Sequence, residues 1–269
     1  GKSVLITGCS SGFGRLGAEY FARAGAKVFA TMRGLPRPEG EELRALAAAD
    51  KLDIHLIEID VLSDEQVAAG VAEAERINGG PLDVLVNNAG IGTGGSLSEL
   101  DPEEIDRCLD INLKGVLYGA QAVYPYLKAS APRSALINIA SAAGIVGSPG
   151  MSVYCATKFG VRAVSECLDG EWAPDGITVA SICPAFIETP LLNGTGNRKS
   201  NEPIRERVRA AGLEITPVEE VAKAIWDAVH GEKLDYFVGA TSKRMAFSKR
   251  WMPGKVRKQL RASSGPMGR

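Results

Sequence analysis

Residues 3–14 of the chain read Ser-Val-Leu-Ile-Thr-Gly-Cys-Ser-Ser-Gly-Phe-Gly, a short apolar run that leads directly into a turn with three glycines. The apolar run over 3–7 predicts a buried β-strand, and the residues after the turn have the periodicity of an amphipathic helix. A strand, a glycine-rich turn and a helix in this order are typical of the first unit of a parallel α/β fold. The stretch therefore predicts such a fold.

The three glycines have separate uses in a turn of this kind. Gly8 allows the tight turn, Gly12 lets the backbone approach a pyrophosphate, and Gly14 lets the helix pack closely on the strand. The helix N-terminus adds unpaired N–H groups and a positive dipole. Glycines also serve ordinary turns, but the position directly after an N-terminal strand favours a nucleotide. We predict cofactor contacts from Gly8, Ser10, Ser11, Gly12, Phe13 and Gly14.

The end of the second predicted strand, at 29–33, bears on which dinucleotide binds. An acidic residue there would hold the ribose 2′-hydroxyl of NAD. Met32 and Arg33 occupy these positions instead, and a guanidinium fork matches a phosphate, so we predict NADP(H). The alternative is that Arg33 is a solvated loop residue. Asp60 and Val61, after the third strand, are predicted to meet the adenine or else simply to end the strand.

The rest of the chain alternates short β-rich apolar runs with amphipathic stretches, which is typical of right-handed βαβ crossovers. The predicted strands cover 3–7, 27–31, 54–59, 82–87, 135–139, 177–182 and 236–238. The predicted helical stretches lie near 15–29, 41–50, 64–78, 102–130 and 152–173. We therefore predict a single Rossmann-type, doubly wound α/β domain with about seven parallel strands and helices on both faces.

Two segments interrupt the alternation. We predict a catalytic NADP-binding domain over 1–240, in which 187–212 forms a substrate lid, and a basic helical extension over 241–269. The extension holds nine Lys and Arg and no acidic residue, with Phe247, Trp251, Met252 and Leu260 interleaved. One interpretation is a basic amphipathic tail that touches a membrane surface. The alternative is a helix packed on its own domain or on a second subunit.

The composition narrows the function classes. With 45% hydrophobic residues and a net charge of −1, the 269-residue chain gives no electrostatic argument for nucleic-acid binding. No apolar run of about 18 residues predicts a transmembrane helix, and no secretory signal is visible. The five cysteines and two histidines lack metal-ligand or disulfide spacing. We expect no metal site and a reducing, cytoplasmic location.

Tyr154 and Lys158 are four residues apart and therefore lie on one face of a helix. An isolated phenol has a pKa near 10 and is a weak base at neutral pH. A cation about 4 Å away is worth roughly 4 kcal/mol at an effective dielectric near 20. We therefore predict that Lys158 lowers the pKa of Tyr154 by about three units. Alternatively the pair is a surface Tyr above a surface Lys.

Taken together, these features resemble the short-chain dehydrogenase/reductase family over 3–239. The turn at 7–14 matches its glycine motif, and Asn-Asn-Ala-Gly at 87–90 matches its second signature. That signature passes beside the cofactor, which implies contacts from Asn88, Ala89 and Gly90. The residues that match the catalytic tetrad are Asn112, Ser141, Tyr154 and Lys158.

The resemblance implies a role for each of these side chains. Tyr154 exchanges a proton with the substrate oxygen, and Ser141 binds the same oxygen. Lys158 lowers the pKa of Tyr154 and binds the nicotinamide ribose, and Asn112 holds a water that links Lys158 to solvent. Cofactor contacts are also implied for Tyr154 and Lys158 and, near the nicotinamide carboxamide, for Pro184, Ile187 and Thr189.

The chain departs from the family pattern at Ala185, where most members have glycine. Its long tail, Cys9-Ser10-Ser11 and the residues at 30–33 are similar to the steroid and retinol dehydrogenase branch. That similarity implies a bulky apolar ketone or alcohol as substrate. The predicted pocket walls, each of which is alternatively plain core, are Ala143, Val146, Met151, Phe186 and Leu191.

The resulting hypothesis is an NADP(H)-dependent oxidoreductase that transfers hydride between nicotinamide and a carbonyl or secondary alcohol. The helices near 102–130 and 152–173 resemble the family's dimer-forming pair, so we expect a homodimer or a homotetramer. A second hypothesis is an NADPH-sensing regulator or scaffold without turnover. A third is a peripheral membrane protein recruited by its basic tail.

Overall fold

The computed structural model describes residues 1–194 and 201–262. Within them the chain forms one parallel sheet with the spatial strand order β3-β2-β1-β4-β5-β6-β7. The strands are β1 Ser3–Ile6, β2 Lys27–Met32, β3 Ile54–Glu58, β4 Val84–Asn87, β5 Ala135–Ile139, β6 Thr178–Pro184 and β7 Asp235–Val238. This confirms the predicted seven-stranded, doubly wound Rossmann-type sheet.

Helices connect these strands and cover the sheet. Their bounds are α1 Gly12–Arg23, α2 Pro38–Asp50, α3 Asp64–Asn78, α4 Pro102–Leu109, α5 Gly115–Ser130, α6 Ser152–Trp172, α7 Ile204–Ala210, α8 Glu219–Val229, α9 Gly239–Trp251 and α10 Pro253–Ala262. A π-helical turn at Asp110–Lys114 separates α4 from α5. Helices α1 and α8 pack in one apolar layer and α3 and α5 in the other, which confirms helices on both faces.

The strands are buried on both sides, as the near-continuous apolar runs predict for a parallel sheet. In β1 the side chains of Val4 and Ile6 enter one core layer and that of Leu5 enters the other. All three are almost completely inaccessible to solvent. The sheet is thus the rigid support on which the turns at its carboxyl edge are fixed.

The strand order reverses at β1, which pairs with β2 on one side and β4 on the other. In open α/β sheets ligands bind outside the carboxyl ends of the strands at such a switch point. The turn after β1 and the segment that follows β4 meet there, since Thr7 N–H donates to Val86 O at 3.0 Å. The fold therefore brings together two segments about 80 residues apart in sequence.

The helices differ from the prediction in three ways. The helix predicted to reach residue 29 ends at Arg23, because Gly25 takes a left-handed conformation (φ 83°) and β2 begins at Lys27. The stretch predicted over 102–130 is divided by the π-helical turn. Helix α8 was not predicted, although Val221, Ile225 and Val229 already have the period of a buried helix face.

The proposed division near residue 240 and the proposed lid stay predictions. Parts of both lie outside the described residues, namely 195–200 of the lid and 263–269 of the extension. In the described part of the extension, Val256 and Leu260 pack on the apolar cluster that holds Ala142 and Ile145. None of the helices in the described ranges is long and apolar enough to cross a bilayer.

Candidate active site

The turn between β1 and α1 is packed against the segment that follows β4. Gly8 has a φ of +72°, and a Cβ there would lie 2.8 Å from the Cα of Ala89. A Cβ on Gly14 would overlap the Gly8 carbonyl oxygen and lie 2.5 Å from Nδ2 of Asn88. Real side chains do not approach backbone that closely, so only glycine fits these two positions.

Gly12 has a different environment. Its φ is +57°, and the nearest neighbour of a Cβ there would be Cγ2 of Thr189 at 4.0 Å, so open space lies above the turn. Ser10 is half-buried, Ser11 is exposed and makes no capping bond to α1, and Phe13 packs its ring on the core. Helix α1, described over its whole length, has no acidic residue in its first turn. This open, positively polarised N-terminus fits a pyrophosphate.

Asn88 and Ala89 fasten β4 to the glycine turn. Their backbone N–H groups donate to Oγ1 of Thr7 at 2.9 and 3.0 Å. The Asn88 side chain donates through Nδ2 to the carbonyl oxygens of Thr7, at 2.8 Å, and of Gly8, at 3.2 Å. The Asn88 amide is therefore used to hold the turn, and its predicted cofactor contact stays a prediction.

Arg33 follows β2 and reaches into solvent, with its side chain 58% exposed. Its Nη1 lies 4.0 Å from Oδ2 of Asp60, a loose ion pair. Two further arginines adjoin this corner, since Arg37 donates to the Arg33 carbonyl and Arg15 to that of Glu39. Both are already paired with a carboxylate at 2.9 and 2.7 Å: Arg37 with Glu39, Arg15 with Glu19.

The residues predicted at the adenine lie just beyond β3. Oδ1 of Asp60 accepts a hydrogen bond from Leu62 N–H at 3.1 Å, and Asp60 N–H donates to Oε1 of Gln66 at 3.0 Å. Val61 packs on Gly115 at the start of α5, where a Cβ would lie 3.0 Å from that of Val61. Asp60 thus shapes the loop, and the predicted adenine contacts of Asp60 and Val61 stay predictions.

Tyr154 and Lys158 lie one turn apart on α6, as predicted. Nζ of Lys158 is 5.7 Å from the centroid of the Tyr154 ring and donates to the carbonyl oxygen of Ile139 at 2.9 Å. Lys158 is buried, whereas Tyr154 remains partly accessible. The end of β5 therefore holds the ammonium close to the phenol.

Ser141 follows β5 and begins the short 3₁₀ turn Ala142–Gly144. Its Oγ accepts a hydrogen bond from Ala143 N–H at 3.1 Å and donates a long one to the carbonyl oxygen of Pro184 at 3.5 Å. It also forms a hydrogen bond with the Tyr154 hydroxyl. The bond to Pro184 is at the long limit of hydrogen bonding, so the Ser141 proton can turn to a ligand oxygen at little cost.

Burial controls the titration of this pair. It raises the pKa of Tyr154 to about 12, and the hydrogen bond with Ser141 opposes the increase. Burial also lowers the pKa of Lys158 to about 8, so Lys158 is mostly protonated at neutral pH. The predicted lowering of the Tyr154 pKa is therefore wrong for this structure. The cost of placing a phenolate in a desolvated site outweighs the attraction to a cation that faces the Ile139 carbonyl.

Asn112 lies in the π-helical turn, a feature that is often found at functional sites. Its Oδ1 accepts from Ile91 N–H and its Nδ2 donates to Ile91 O, both at 2.8 Å. A Cβ on Gly90 would lie 3.3 Å from Oδ1 of Asn112 and 3.6 Å from Nζ of Lys158. Gly90 thus separates two predicted catalytic side chains, and the water predicted at Asn112 stays a prediction.

The segment after β6 faces the glycine turn. Pro184 ends β6, and Ile187 is buried in the core beside Thr216. Thr189 is half-buried, and its Oγ1 donates to the Ile187 carbonyl at 3.3 Å. Thr189 is the nearest of these to the turn, through its contact with the open side of Gly12.

The five predicted pocket walls have unequal surroundings. Leu191 is 60% exposed, and Phe186 and Met151 are half-buried. Ala143 is buried beside Ser141, and Val146 is buried in the apolar cluster under α9 and α10. The first three expose apolar surface, the surroundings of Val146 are those of a core residue, and all five stay predictions as pocket walls.

A network of buried polar side chains lies beneath the site and was not predicted from the sequence. Asn87 on β4 donates from Nδ2 to Oδ1 of Asn138 on β5 at 3.0 Å, and Asn138 donates to Oγ of Ser165 on α6 at 3.0 Å. The two asparagines are register partners in the sheet. A polar residue inside each of two apolar strands was the signal that could have revealed the network.

Comparisons with known proteins agree with this geometry. A family model described as short chain dehydrogenase matches residues 2–200. An uncharacterized oxidoreductase of Bacillus subtilis is 36% identical over 256 residues, with 88% of this chain and 89% of the relative covered. A 3-oxoacyl-(acyl-carrier-protein) reductase of Thermotoga maritima is 32% identical, with 84% and 89% covered. A 3-ketodihydrosphingosine reductase of Bacteroides thetaiotaomicron is 31% identical, with 86% and 80% covered.

Solved structures share the fold. A short chain dehydrogenase from Burkholderia cenocepacia in complex with NADP is 25% identical and superposes with a TM-score of 0.78 over 97% of both chains. A short chain dehydrogenase/reductase from Burkholderia phymatum in complex with NAD is 24% identical, with a TM-score of 0.81 over 96% of this chain and 95% of that one. The family match and the relatives together show that the chain is an oxidoreductase of the short-chain dehydrogenase/reductase family.

Proposed function

We propose that the chain uses NADP(H) to reduce or form the carbonyl group of a bulky, apolar molecule. The observation that carries the proposal is the grouping of Ser141, Tyr154 and Lys158 next to Gly90, in the segment after β4 that is packed on the glycine turn. A proton donor, a hydrogen-bond donor and a cation are thus neighbours there, as catalysis at one substrate oxygen would need. The open space at Gly12 accommodates the phosphates of the dinucleotide.

When bound, NADP(H) supplies or accepts the hydride. In reduction the Tyr154 hydroxyl donates its proton to the carbonyl oxygen, and the Ser141 hydroxyl donates a hydrogen bond to the same atom. Lys158 keeps a positive charge near the phenol and stabilises the phenolate left after proton transfer. Asn112 and the Ile139 carbonyl act by positioning, because each holds a neighbouring group through a short hydrogen bond.

The pKa of Tyr154 favours the reductive direction. With a pKa raised to about 12, the phenol is protonated at neutral pH, which is the form that donates to a carbonyl. Oxidation of an alcohol needs the phenolate instead. The positive charge of an oxidised nicotinamide would lower the Tyr154 pKa and make that form accessible.

The preference for NADP(H) rests on Arg33. Its only carboxylate neighbour among the described ion pairs is Asp60, at 4.0 Å, whereas Arg15 and Arg37 are held by closer partners. Arg33 can therefore turn to a 2′-phosphate without breaking a tight ion pair. The match to a Burkholderia structure in complex with NADP is compatible with a preference for NADP(H). Another matched Burkholderia structure is in complex with NAD, so the affinities for the two cofactors have to be compared.

An apolar substrate is supported by the side chains near the segment after β6. Leu191 is exposed, and Phe186 and Met151 are partly so, which is the arrangement expected of a wall that a ligand covers. Two relatives carry names that specify reduction of a 3-oxo or 3-keto compound. The weaker similarity to the steroid and retinol dehydrogenase branch implies the same apolar class.

The assembly and location belong to the same proposal. Leu117 on α5 and Phe159 on α6 are 44% and 39% exposed, and these helices form the predicted dimer surface. We expect a homodimer or a homotetramer in the cytoplasm. Glu188 and Arg205 form a bidentate ion pair between the segment after β6 and α7, which would hold the described part of the proposed lid.

The proposal is tested by NADPH oxidation with a panel of bulky apolar ketones. The wild-type chain should turn over at least one of them, and Tyr154→Phe should slow turnover by about 10²–10⁴-fold because the proton donor is lost. NADPH affinity should stay within about twofold, because the substitution removes one hydroxyl group and leaves the glycine turn unchanged.

Tyr20→Phe is the matched control, since Tyr20 lies on α1 and is 37% exposed. It should leave turnover unchanged. Wild-type turnover in Tyr154→Phe would refute the role of Tyr154. Tight NADPH binding without turnover of any ketone would favour the NADPH-sensing hypothesis.

A further inference from the structure

Helix α9 has two different faces. On the inner face, Ser242 is buried and donates to the carbonyl oxygen of Cys183 at 2.6 Å, and Met245 and Ala246 pack on an apolar cluster of the domain. The outer face bears Lys243, Arg244, Phe247, Arg250 and Trp251, all exposed. We call this outer set the basic-aromatic face. Helix α9 therefore packs on its own domain and still presents a second surface outward.

Two large aromatic side chains on this face are left in water. Phe247 is 59% exposed and Trp251 is 65% exposed, and their spacing of four residues puts them side by side on the helix. Because both rings are in contact with water, burying them against an apolar partner would be favourable. Aromatic rings, tryptophan above all, are enriched at the interface between membrane and water.

The charges around the aromatics are of one sign. The guanidinium of Arg250 lies 5.3 Å from the centroid of the Trp251 ring, and Lys243 and Arg244 lie one helical turn or more away. Helix α10 continues the pattern with exposed Lys255, Arg257 and Lys258. No ion pair between the described residues involves Lys243, Arg244 or Arg250. Among the described residues, these three side chains of the basic-aromatic face therefore carry positive charge without an ion-paired carboxylate.

The sequence separates its charges between this extension and the rest of the chain. Residues 241–269 hold nine basic and no acidic residues, while 1–240 hold 22 basic and 32 acidic residues. An anionic plane would attract the extension and repel the remainder, which orients the molecule. Symmetric pairing of the basic-aromatic face with its own copy would instead oppose like charges.

We infer that the basic-aromatic face docks the protein on an anionic phospholipid membrane. The basic side chains contact lipid headgroups, and Phe247 and Trp251 enter the interface between headgroups and acyl chains. Helix α9 packs against Ala142–Gly144, the turn that follows Ser141, so docking brings the catalytic edge of the sheet towards the bilayer. An apolar substrate dissolved in the bilayer would then be close to the site, a consequence that rests on the proposed function.

Co-sedimentation with vesicles tests the inference without reference to turnover. The full chain is mixed with phosphatidylcholine vesicles or with vesicles that hold equal parts of phosphatidylcholine and phosphatidylglycerol. We expect binding to the second kind alone, weakened by salt. The emission of Trp251 should shift to shorter wavelength on binding, and Phe247→Ser/Trp251→Ser should abolish both signals.

A triple variant, Lys243→Gln/Arg244→Gln/Arg250→Gln, should weaken binding on the order of a hundredfold, given about 1 kcal/mol per basic residue near the surface. The matched control is Arg23→Gln/Arg44→Gln/Arg76→Gln, which changes the net charge equally on α1, α2 and α3. The control should bind as the wild type does.

Three sedimentation results would overturn the inference. They are no binding of the wild type to anionic vesicles at low salt, equal binding of the wild type to neutral vesicles, and an equal loss of vesicle binding in the control triple variant. The native mass of each variant is measured by light scattering. A change in mass with vesicle binding unaltered would show that the basic-aromatic face is a subunit contact instead. These readouts remain valid if no ketone is turned over, so failure of the docking and failure of the proposed function can be told apart.

Discussion

The two sides of the candidate site are held together in different ways. The cofactor side, residues 7–14 and 88–90, is held by backbone groups in close contact, with glycine wherever a Cβ would collide. The proposed substrate side, residues 184–194 and 201–213, depends more on side chains such as the Glu188–Arg205 ion pair and the exposed Leu191. The cofactor side should therefore accept only glycine at Gly8 and Gly14, whereas the substrate side should accept several residue types at positions such as Leu191.

This difference explains what a sequence reveals about such a site. A turn that only glycine can form leaves a pattern that is recognisable without a structure. A wall made by apolar side chains can be built from many combinations of similar volume, so it leaves no pattern. Substitutions on the two sides should therefore differ in kind, with loss of folding or cofactor binding on one side and altered substrate preference on the other.

The largest expected effect is on the cofactor side. Gly14→Ala should lower the free energy of unfolding by about 3 kcal/mol and abolish NADPH binding, because its Cβ would overlap the Gly8 carbonyl oxygen. Gly17→Ala in the same helix is the control, since its nearest neighbour would be Cδ1 of Ile6 at 3.8 Å. That variant should gain about 0.5–1 kcal/mol. Urea unfolding measures the stability of both variants. An equal change in the free energy of unfolding for Gly14→Ala and Gly17→Ala would contradict the packing argument.

Lys158, between the two sides, should make stability depend on pH. Its pKa is lowered from 10.5 in the unfolded chain to about 8 in the fold. Between these values the unfolded chain binds more protons, so the wild type should gain stability relative to Lys158→Met as pH rises from 8 to 10. The gain should be on the order of 2–3 kcal/mol.

Urea unfolding at several pH values measures this difference. Lys223→Met serves as control, because Lys223 is 64% exposed and its hydrogen bond with Asp227 raises the pKa of its ammonium group, so it stays protonated in this range. Its curve should run parallel to that of the wild type over the same range. Parallel curves for Lys158→Met as well would show that Lys158 is not penalised by burial.

Arg33 should decide between the two dinucleotides. Arg33→Gln should weaken NADPH binding by about 10–100-fold through loss of a charge-assisted hydrogen bond, with NADH binding unchanged. Arg37→Gln is the control and should cost less than about threefold, since Arg37 is already paired with Glu39. Fluorescence titration measures each affinity, and an equal loss for both cofactors in Arg33→Gln would refute selection by the 2′-phosphate.

The smallest effect is expected on the substrate side. Leu191→Ser should raise the KM for a bulky ketone by roughly five- to tenfold, because a leucine contact of about 1 kcal/mol is lost, with stability unchanged. The adjacent Leu192 is buried, so Leu192→Ala should instead cost about 2–5 kcal/mol of stability. An unaltered KM in Leu191→Ser, or reversed effects for the two leucines, would remove Leu191 from the pocket wall.

Much of the fold could be predicted because strands buried on both faces show as apolar runs. Each of the seven predicted strands is present, with ends within two residues of those observed. The errors are at helices. Helix α1 ends earlier than predicted, before a glycine in the left-handed conformation. The π-helical turn around Asn112 contains no residue type that would have predicted it. Such a turn is stabilised by tertiary contacts, here those between Asn112 and Ile91.

The candidate site was predictable where its spacing reflects a helix or a turn. Tyr154 and Lys158 share a helix face as expected, but the direction of the Tyr154 pKa was wrong, because burial cannot be judged from spacing. Val146 was predicted as a pocket wall or as plain core, and its surroundings depend on α9 and α10, which are more than 90 residues away in sequence. Contacts of that range are set by the fold and not by local pattern.

The most direct test of the account is a parallel fluorescence titration of the wild-type protein with NADPH and NADH. We propose that the backbone of the cofactor side receives the phosphates of the dinucleotide and that Arg33 selects the 2′-phosphate. We predict that NADPH binds at least about tenfold more tightly than NADH. Equal affinities, or tighter binding of NADH, would contradict the assignment of Arg33 and with it the proposed cofactor.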